Sequence, residues 1–127
     1  MDLSERTILI ADDNAQNVEL LEAFVAPLGC RVLTAPDGER AVSIASTEKP
    51  DLILLDIMMP RVSGYQVCER LRKDPSTKGI KVLMVSALGA VNDIERANEV
   101  GADGMLTKPV VREDLVEAVV RLLSSGS

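Results

Sequence analysis

Short aliphatic runs recur along this chain, and between them apolar residues return every three or four positions. The runs are TILIA, RVLTA, LILL, KVLMV and GMLT. They predict strands β1 (Thr7–Ala11), β2 (Arg31–Ala35), β3 (Leu52–Leu55), β4 (Lys81–Val85) and β5 (Gly104–Thr107). β3 is wholly apolar, as a strand covered on both faces should be. Helical spacing predicts α1 over Asn14–Leu28, with Val18, Leu21, Val25 and Leu28 on one face, and Pro27-Leu28-Gly29 stops it. Asp37-Gly38 opens α2, whose inner face is Ala41, Ile44 and Ala45, and Pro50 closes the connection. α3 (Tyr65–Lys73) turns Val67, Cys68 and Leu71 inward. α4 (Asn92–Val100) turns Ile94 and Ala97 inward and is capped by Gly101. α5 (Arg112–Leu123) turns Leu115, Val119 and Leu122 inward. Ile57–Ser63 and the polar stretch Asp74–Gly79 read as loops. Ser124–Ser127 reads as a flexible tail on a domain spanning 1–123.

Strand and helix alternate five times, which favours a doubly wound α/β fold: a five-stranded parallel sheet with helices on both faces. Ligands of such sheets bind outside the carboxyl ends of the strands. Polar residues stand at those ends: Asp12 and Asp13 after β1, Asp56 after β3, Ser86 after β4, and Lys108-Pro109 after β5. Three carboxylates offer hard oxygen ligands, which suit Mg²⁺ or Mn²⁺. Alone they repel one another; a divalent cation together with Lys108 balances their charge. An Asp carboxylate is also a nucleophile toward phosphoryl groups, and Asp56, after the most apolar strand, is the candidate. Singly, each residue has a plain structural role. Asp12, Asp13 or Asn14 can cap α1, Asp56 can end a strand, Ser86 can cap α4, and Lys108 can be a solvated lysine. Together they describe one phosphoryl and cation site.

Composition sharpens this picture mostly by exclusion. At 127 residues, 46% of them hydrophobic, the chain makes one domain with a real core. Phe24 and Tyr65 are its only aromatic residues, so aliphatic side chains and methionine must fill that core. Fourteen basic and twenty acidic residues give a net charge of −6, which argues against direct binding of nucleic acid or an anionic membrane. No apolar run is long enough to span a bilayer, and the first residues do not form a signal peptide. Cys30 and Cys68 make no metal or redox motif and fit a reducing cytoplasm. The absence of histidine removes His-based catalysis and any internal phosphohistidine.

The motifs ILIADDN, APDG, PDLILLDIMMPRVSG, VLMVSAL and GADGMLTKP follow one another from about Thr7 to about Leu123. In that order and spacing they resemble the receiver domain of two-component response regulators, of the chemotaxis-receiver type. The resemblance implies a flavodoxin-like sheet in strand order 2-1-3-4-5 with five helices. It implies Asp56 as phosphoacceptor and Asp12 and Asp13 as the acidic pair holding Mg²⁺ (or Mn²⁺), with Asp13 a direct ligand. Asp56 and the backbone carbonyl of Met58 complete the protein ligands. Ser86, the backbone N–H of Ala87 and Lys108 would meet the phosphoryl oxygens, and Pro109 would follow a cis peptide. The implied partners are a sensor histidine kinase or histidine phosphotransfer protein and a downstream output protein or domain, with a possible homodimer through an α4–β5–α5 face.

One position departs from the family's pattern. Three residues before Lys108 the family often has Tyr or Phe; here it is Met105. Thioether flexibility leaves no clear two-state rotamer, so a switch must rely on Ser86 and the Ala87–Asn92 loop. Met58 and Leu88 stand where the family tunes water access to the acyl phosphate; both are apolar, which predicts slow self-dephosphorylation. The chain is expected to be a signalling phosphoacceptor rather than an enzyme. It reads either as a stand-alone regulator or as the receiver of a hybrid kinase or diguanylate cyclase. A non-phosphorylated pseudo-receiver is the alternative binding module. A haloacid-type phosphatase would want acids two apart after β1, and a flavodoxin a Ser/Thr/Gly-rich loop there. Glu95, Glu99 and Asp103 are expected to form a solvated acidic face near α4.

Overall fold

A computed structural model describes residues 3–87 and 91–124. Five parallel strands form one sheet in the order β2-β1-β3-β4-β5. β1 (Thr7–Ala11), β2 (Arg31–Ala35) and β5 (Gly104–Thr107) keep their expected bounds. β3 (Leu52–Asp56) and β4 (Lys81–Ser86) each run one residue further, because parallel pairing continues through Asp56↔Val85 and Ser86↔Thr107. Both polar residues are therefore the last rungs of the sheet rather than the first residues beyond it.

Alternation along the buried strands divides the core in two. Leu9, Ile53, Leu55, Val82 and Met84 face Ala41, Ala45, Val67, Cys68, Leu71 and Ala97 of the second, third and fourth helices, and Val100 just after the fourth. Ile8, Ile10, Leu52, Leu54 and Leu83 face Leu21, Val25, Leu115, Val119 and Leu122 of the first and fifth. The central strands are buried on both faces, which is why β3 reads as a continuous apolar run.

Helix ends follow local chemistry. α1 spans Ala15–Val25, with Asn14 as its cap: the Asn14 side chain accepts from the N–H groups of Gln16 and Asn17. It stops three residues short of the expected end because Pro27 has no N–H to continue the ladder; Ala26–Leu28 form a 3₁₀ turn ended by Gly29 at φ 80°. α2 (Gly38–Glu48) is capped by Asp37. α3 (Gly64–Lys73) opens with a capping box between Ser63 and Gln66. α4 spans Val91–Glu99 and α5 spans Arg112–Ser124.

One expectation is corrected. Ile94 does not point into the core; it is 49% exposed and lines an open groove of about 470 Å³ with Met105 and Val111. α4 buries Ala97, while Ile94 stands at the groove bordered by the short edge strand β5. Glu95, Glu99 and Asp103 are exposed as expected, but Asp103 is also tied down. Its carboxylate accepts from the Val82 N–H at 2.8 Å and from Arg72 at 2.9 Å. Residues 88–90 of the Ala87–Asn92 loop, Leu88 among them, and the tail 125–127 lie outside the described residues. Among those described, no helix is long and apolar enough to cross a membrane.

Candidate functional site

The carboxyl ends of β1 and β3 lie side by side, with Ala11 paired to Leu55, so the residues that follow them converge. Asp12, Asp13 and Asp56 each place a carboxylate oxygen within 4.8 Å of the others. Asp12 and Asp56 are buried at 2% and 4% exposure, while Asp13 faces solvent. Asp12 continues the sheet by donating its N–H to the Ala35 carbonyl. Its Oδ1 accepts from the Asn14 N–H at 2.9 Å, so the start of α1 fixes its rotamer. Its Oδ2 is buried with no hydrogen-bond partner. Lys108 reaches in from the end of β5: Nζ stands 3.4 Å from Asp56 Oδ1 and 3.8 Å from Asp12 Oδ2.

Burial and charge act on Asp56 together. Desolvation raises its pKa most, the neighbouring Asp12 carboxylate raises it further, and Lys108 and the Met58 N–H pull the other way. The result is about 6, against 3.8 for the ordinary group. Three ionised carboxylates and one ammonium leave two formal negative charges in a buried cleft, and a divalent cation cancels them. The donor set is all oxygen, and the buried Asp12 Oδ2 accepts no hydrogen bond and has Lys108 Nζ only at 3.8 Å, which leaves it available to such an ion. These residues fit a hard divalent cation.

The remaining candidates surround Asp56. Met58 donates its N–H to Asp56 Oδ1 at 3.4 Å, and its side chain is 73% exposed. Ser86 is 2% exposed at the end of β4, and its carbonyl accepts from the Lys108 N–H at 2.7 Å. Ala87 follows on an exposed bend. The Lys108–Pro109 peptide is cis. Met105 is half-buried against the cluster beneath α2, α3 and α4.

Some supporting residues were invisible to pattern. Arg72 uses every guanidinium N–H: it donates to the carbonyls of Gly101, Lys78 and Ile80 and to Asp103. That fixes the far end of β4 and the entry to β5, but no spacing in the sequence connects Arg72 with Asp103. Gly64 reads as turn punctuation, yet its place is set by contact: a Cβ there would lie 2.5 Å from the Asp56 carbonyl oxygen.

Comparison with known proteins agrees with this fold. The family model of the response regulator receiver domain matches residues 8–120. A probable transcriptional regulator ycf27 of Cyanophora paradoxa is 40% identical over 123 residues, covering 97% of this chain and 50% of the relative. The response regulator PleD of Caulobacter vibrioides is 44% identical over 103 residues, covering 81% of this chain and 23% of PleD. Among solved structures, the receiver domain of the sensor histidine kinase PA1611 from Pseudomonas aeruginosa, which has a magnesium ion coordinated in its active site cleft, matches with a TM-score of 0.87 at 29% identity, over 94% of this chain and 98% of that one. The chain belongs to the response regulator receiver domain family of two-component signalling. It spans about half the length of the curated ycf27 relatives it matches, and less of PleD.

Proposed function

We propose that this domain is a phosphoacceptor, with Asp56 as the nucleophile. The observation that carries the proposal is the buried Asp56 carboxylate, with Lys108 Nζ at 3.4 Å and carboxylate oxygens of Asp12 and Asp13 within 4.8 Å. A partner phosphohistidine protein, either a sensor histidine kinase or a histidine phosphotransfer protein, is the donor. An Asp56 carboxylate oxygen attacks phosphorus, the P–N bond breaks, and its electron pair stays on the imidazole, which leaves with a proton. Lys108, the Ser86 hydroxyl and the Ala87 N–H take the phosphoryl oxygens. Asp12, Asp13, Asp56 and the Met58 carbonyl hold Mg²⁺ or Mn²⁺. When bound, that ion supplies charge stabilisation for phosphoryl transfer. The chain's own part is positioning, and it hydrolyses its acyl phosphate slowly because exposed Met58 cannot orient a water.

The groove between α4 and α5, lined by Ile94, Met105 and Val111, is the proposed partner face, offered to an output domain or to a second copy. We place the domain, a receiver over residues 1–123 whose last helix runs on to Ser124, in the cytoplasm. Its output lies in a larger protein or a separate one, since its curated relatives are longer. Acetyl phosphate with Mg²⁺ tests the proposal. One phosphoryl group should appear by intact mass on the wild type and none on Asp56→Asn, and it should persist well beyond seconds. A wild type that stays unmodified makes the chain a pseudo-receiver instead.

A further inference from the structure

The loop after Asp56 is held between two glycines that belong to different helices. Ile57, Met59 and Val62 bury their side chains in the cluster beneath α2 and α3, while Met58 stays outside. The backbone closes on itself: the Gly64 N–H donates to the Ile57 carbonyl at 3.0 Å, and the Val62 N–H to the Pro60 carbonyl at 2.7 Å. Between these bonds Arg61 sits at φ 67°, a left-handed conformation rare for a residue with a side chain. Such a conformation persists only where its surroundings over-determine it.

The surroundings here are backbone contacts. A Cβ on Gly64 would meet the Asp56 carbonyl oxygen at 2.5 Å and Ile57 Cα at 2.9 Å. Gly38, the first residue of α2, closes the other side: its Cβ would meet the Val62 carbonyl oxygen at 2.5 Å and Val62 Cβ at 2.8 Å. Neither glycine has a left-handed φ, so each is needed for space rather than for conformation. The nearest atom at Gly38 is a carbonyl oxygen, which cannot swing aside as the end of a flexible side chain can.

We infer that Gly38, on α2 and outside the acidic cluster, is a positioning residue for the cation site. By letting α2 close directly onto the Val62 carbonyl, it fixes the short loop that carries the Met58 carbonyl. The inference rests on the proposed ligand set of Asp12, Asp13, Asp56 and the Met58 carbonyl. A side chain at position 38 forces Val62 or α2 to shift, and the closed loop passes that shift to Met58. Mg²⁺ demands near-octahedral oxygen geometry at about 2.0–2.1 Å, whereas Ca²⁺ accepts more ligands at longer, variable distances. A displaced loop therefore penalises Mg²⁺ more than Ca²⁺. A glycine needed only for packing has no such preference between ions.

Calorimetric titration of the full chain with Mg²⁺ and with Ca²⁺ tests this without any phosphoryl transfer. Gly38→Ala should weaken Mg²⁺ about tenfold, as changes behind a metal's ligands commonly do, and Ca²⁺ by less than about threefold. Val62→Ala, which empties the same contact without a clash, should show the same ordering with smaller effects and covers the case in which Gly38→Ala fails to fold. Gly79→Ala, with no atom within 4 Å of the added Cβ, should change neither affinity. The inference is overturned if folded Gly38→Ala and Val62→Ala bind Mg²⁺ like the wild type, or lose Mg²⁺ and Ca²⁺ equally. If the wild type binds neither ion, or Asp13→Asn binds both unchanged, the cation-site proposal itself fails and this inference falls with it.

Discussion

At the scale of single residues, Asp56 is held against its own ionisation. Its carboxyl titrates near 6 in the folded chain, because burial and Asp12 disfavour the anion, and near 3.8 when exposed. The folded state therefore binds more protons between those values, so this group's contribution to stability is full below about pH 4 and is lost as pH rises through about 6. Asp56→Asn removes that loss. In metal-free buffer at pH 7 the variant should be more stable than the wild type by about 1–3 kcal/mol, and the gap should close at pH 4. Urea melts at the two pH values measure both. Lys49 presents a different strain: it ends α2 with φ 47°, where glycine fits without steric cost. Lys49→Gly should stabilise by about 0.5–1 kcal/mol in thermal melts.

The residues of the site were legible in the sequence because each polar side chain breaks an apolar run at a strand end. Their inequality was not. Asp12 is the buried, half-satisfied acid and Asp13 the exposed one, which follows from the Asn14 N–H and the sheet rather than from the Asp-Asp pair itself.

Among the elements, strands and helices follow from periodicity, and most errors fall at ends where a single bond decides. Pro27 cut α1 short, and the Asp56↔Val85 and Ser86↔Thr107 rungs lengthened β3 and β4. Ile94 had the right spacing for a core position, but it stands at a groove bordered by a short edge strand. The Arg72 connection was illegible because its partners are mostly carbonyl oxygens, which any residue supplies. It ties α3 to the loop before β4 and to the α4–β5 connection. Lysine cannot reproduce a planar five-donor fork. Arg72→Lys should lower stability by about 2 kcal/mol in denaturant titration, while leaving the Mg²⁺ affinity near that of the wild type, since none of its partners belongs to the acidic trio.

For the whole molecule, the fold serves to gather groups that the sequence scatters from Asp12 to Lys108. Binding at that junction should be visible globally. Mg²⁺ at a hundred times its dissociation constant should stabilise the chain by about 2.7 kcal/mol, and Asp13→Asn should remove most of that gain. A net charge of −6 means that the acidic site sits in an unfavourable field, which a divalent cation relieves locally. The central claim is that the phosphoryl group resides on Asp56. Reductive trapping tests it directly: borohydride converts an aspartyl phosphate to homoserine, which peptide mapping then locates. The account predicts homoserine at position 56 alone, formed after acetyl phosphate with Mg²⁺ and absent without the metal. Homoserine at position 12 or 13, or none at any position, would contradict it.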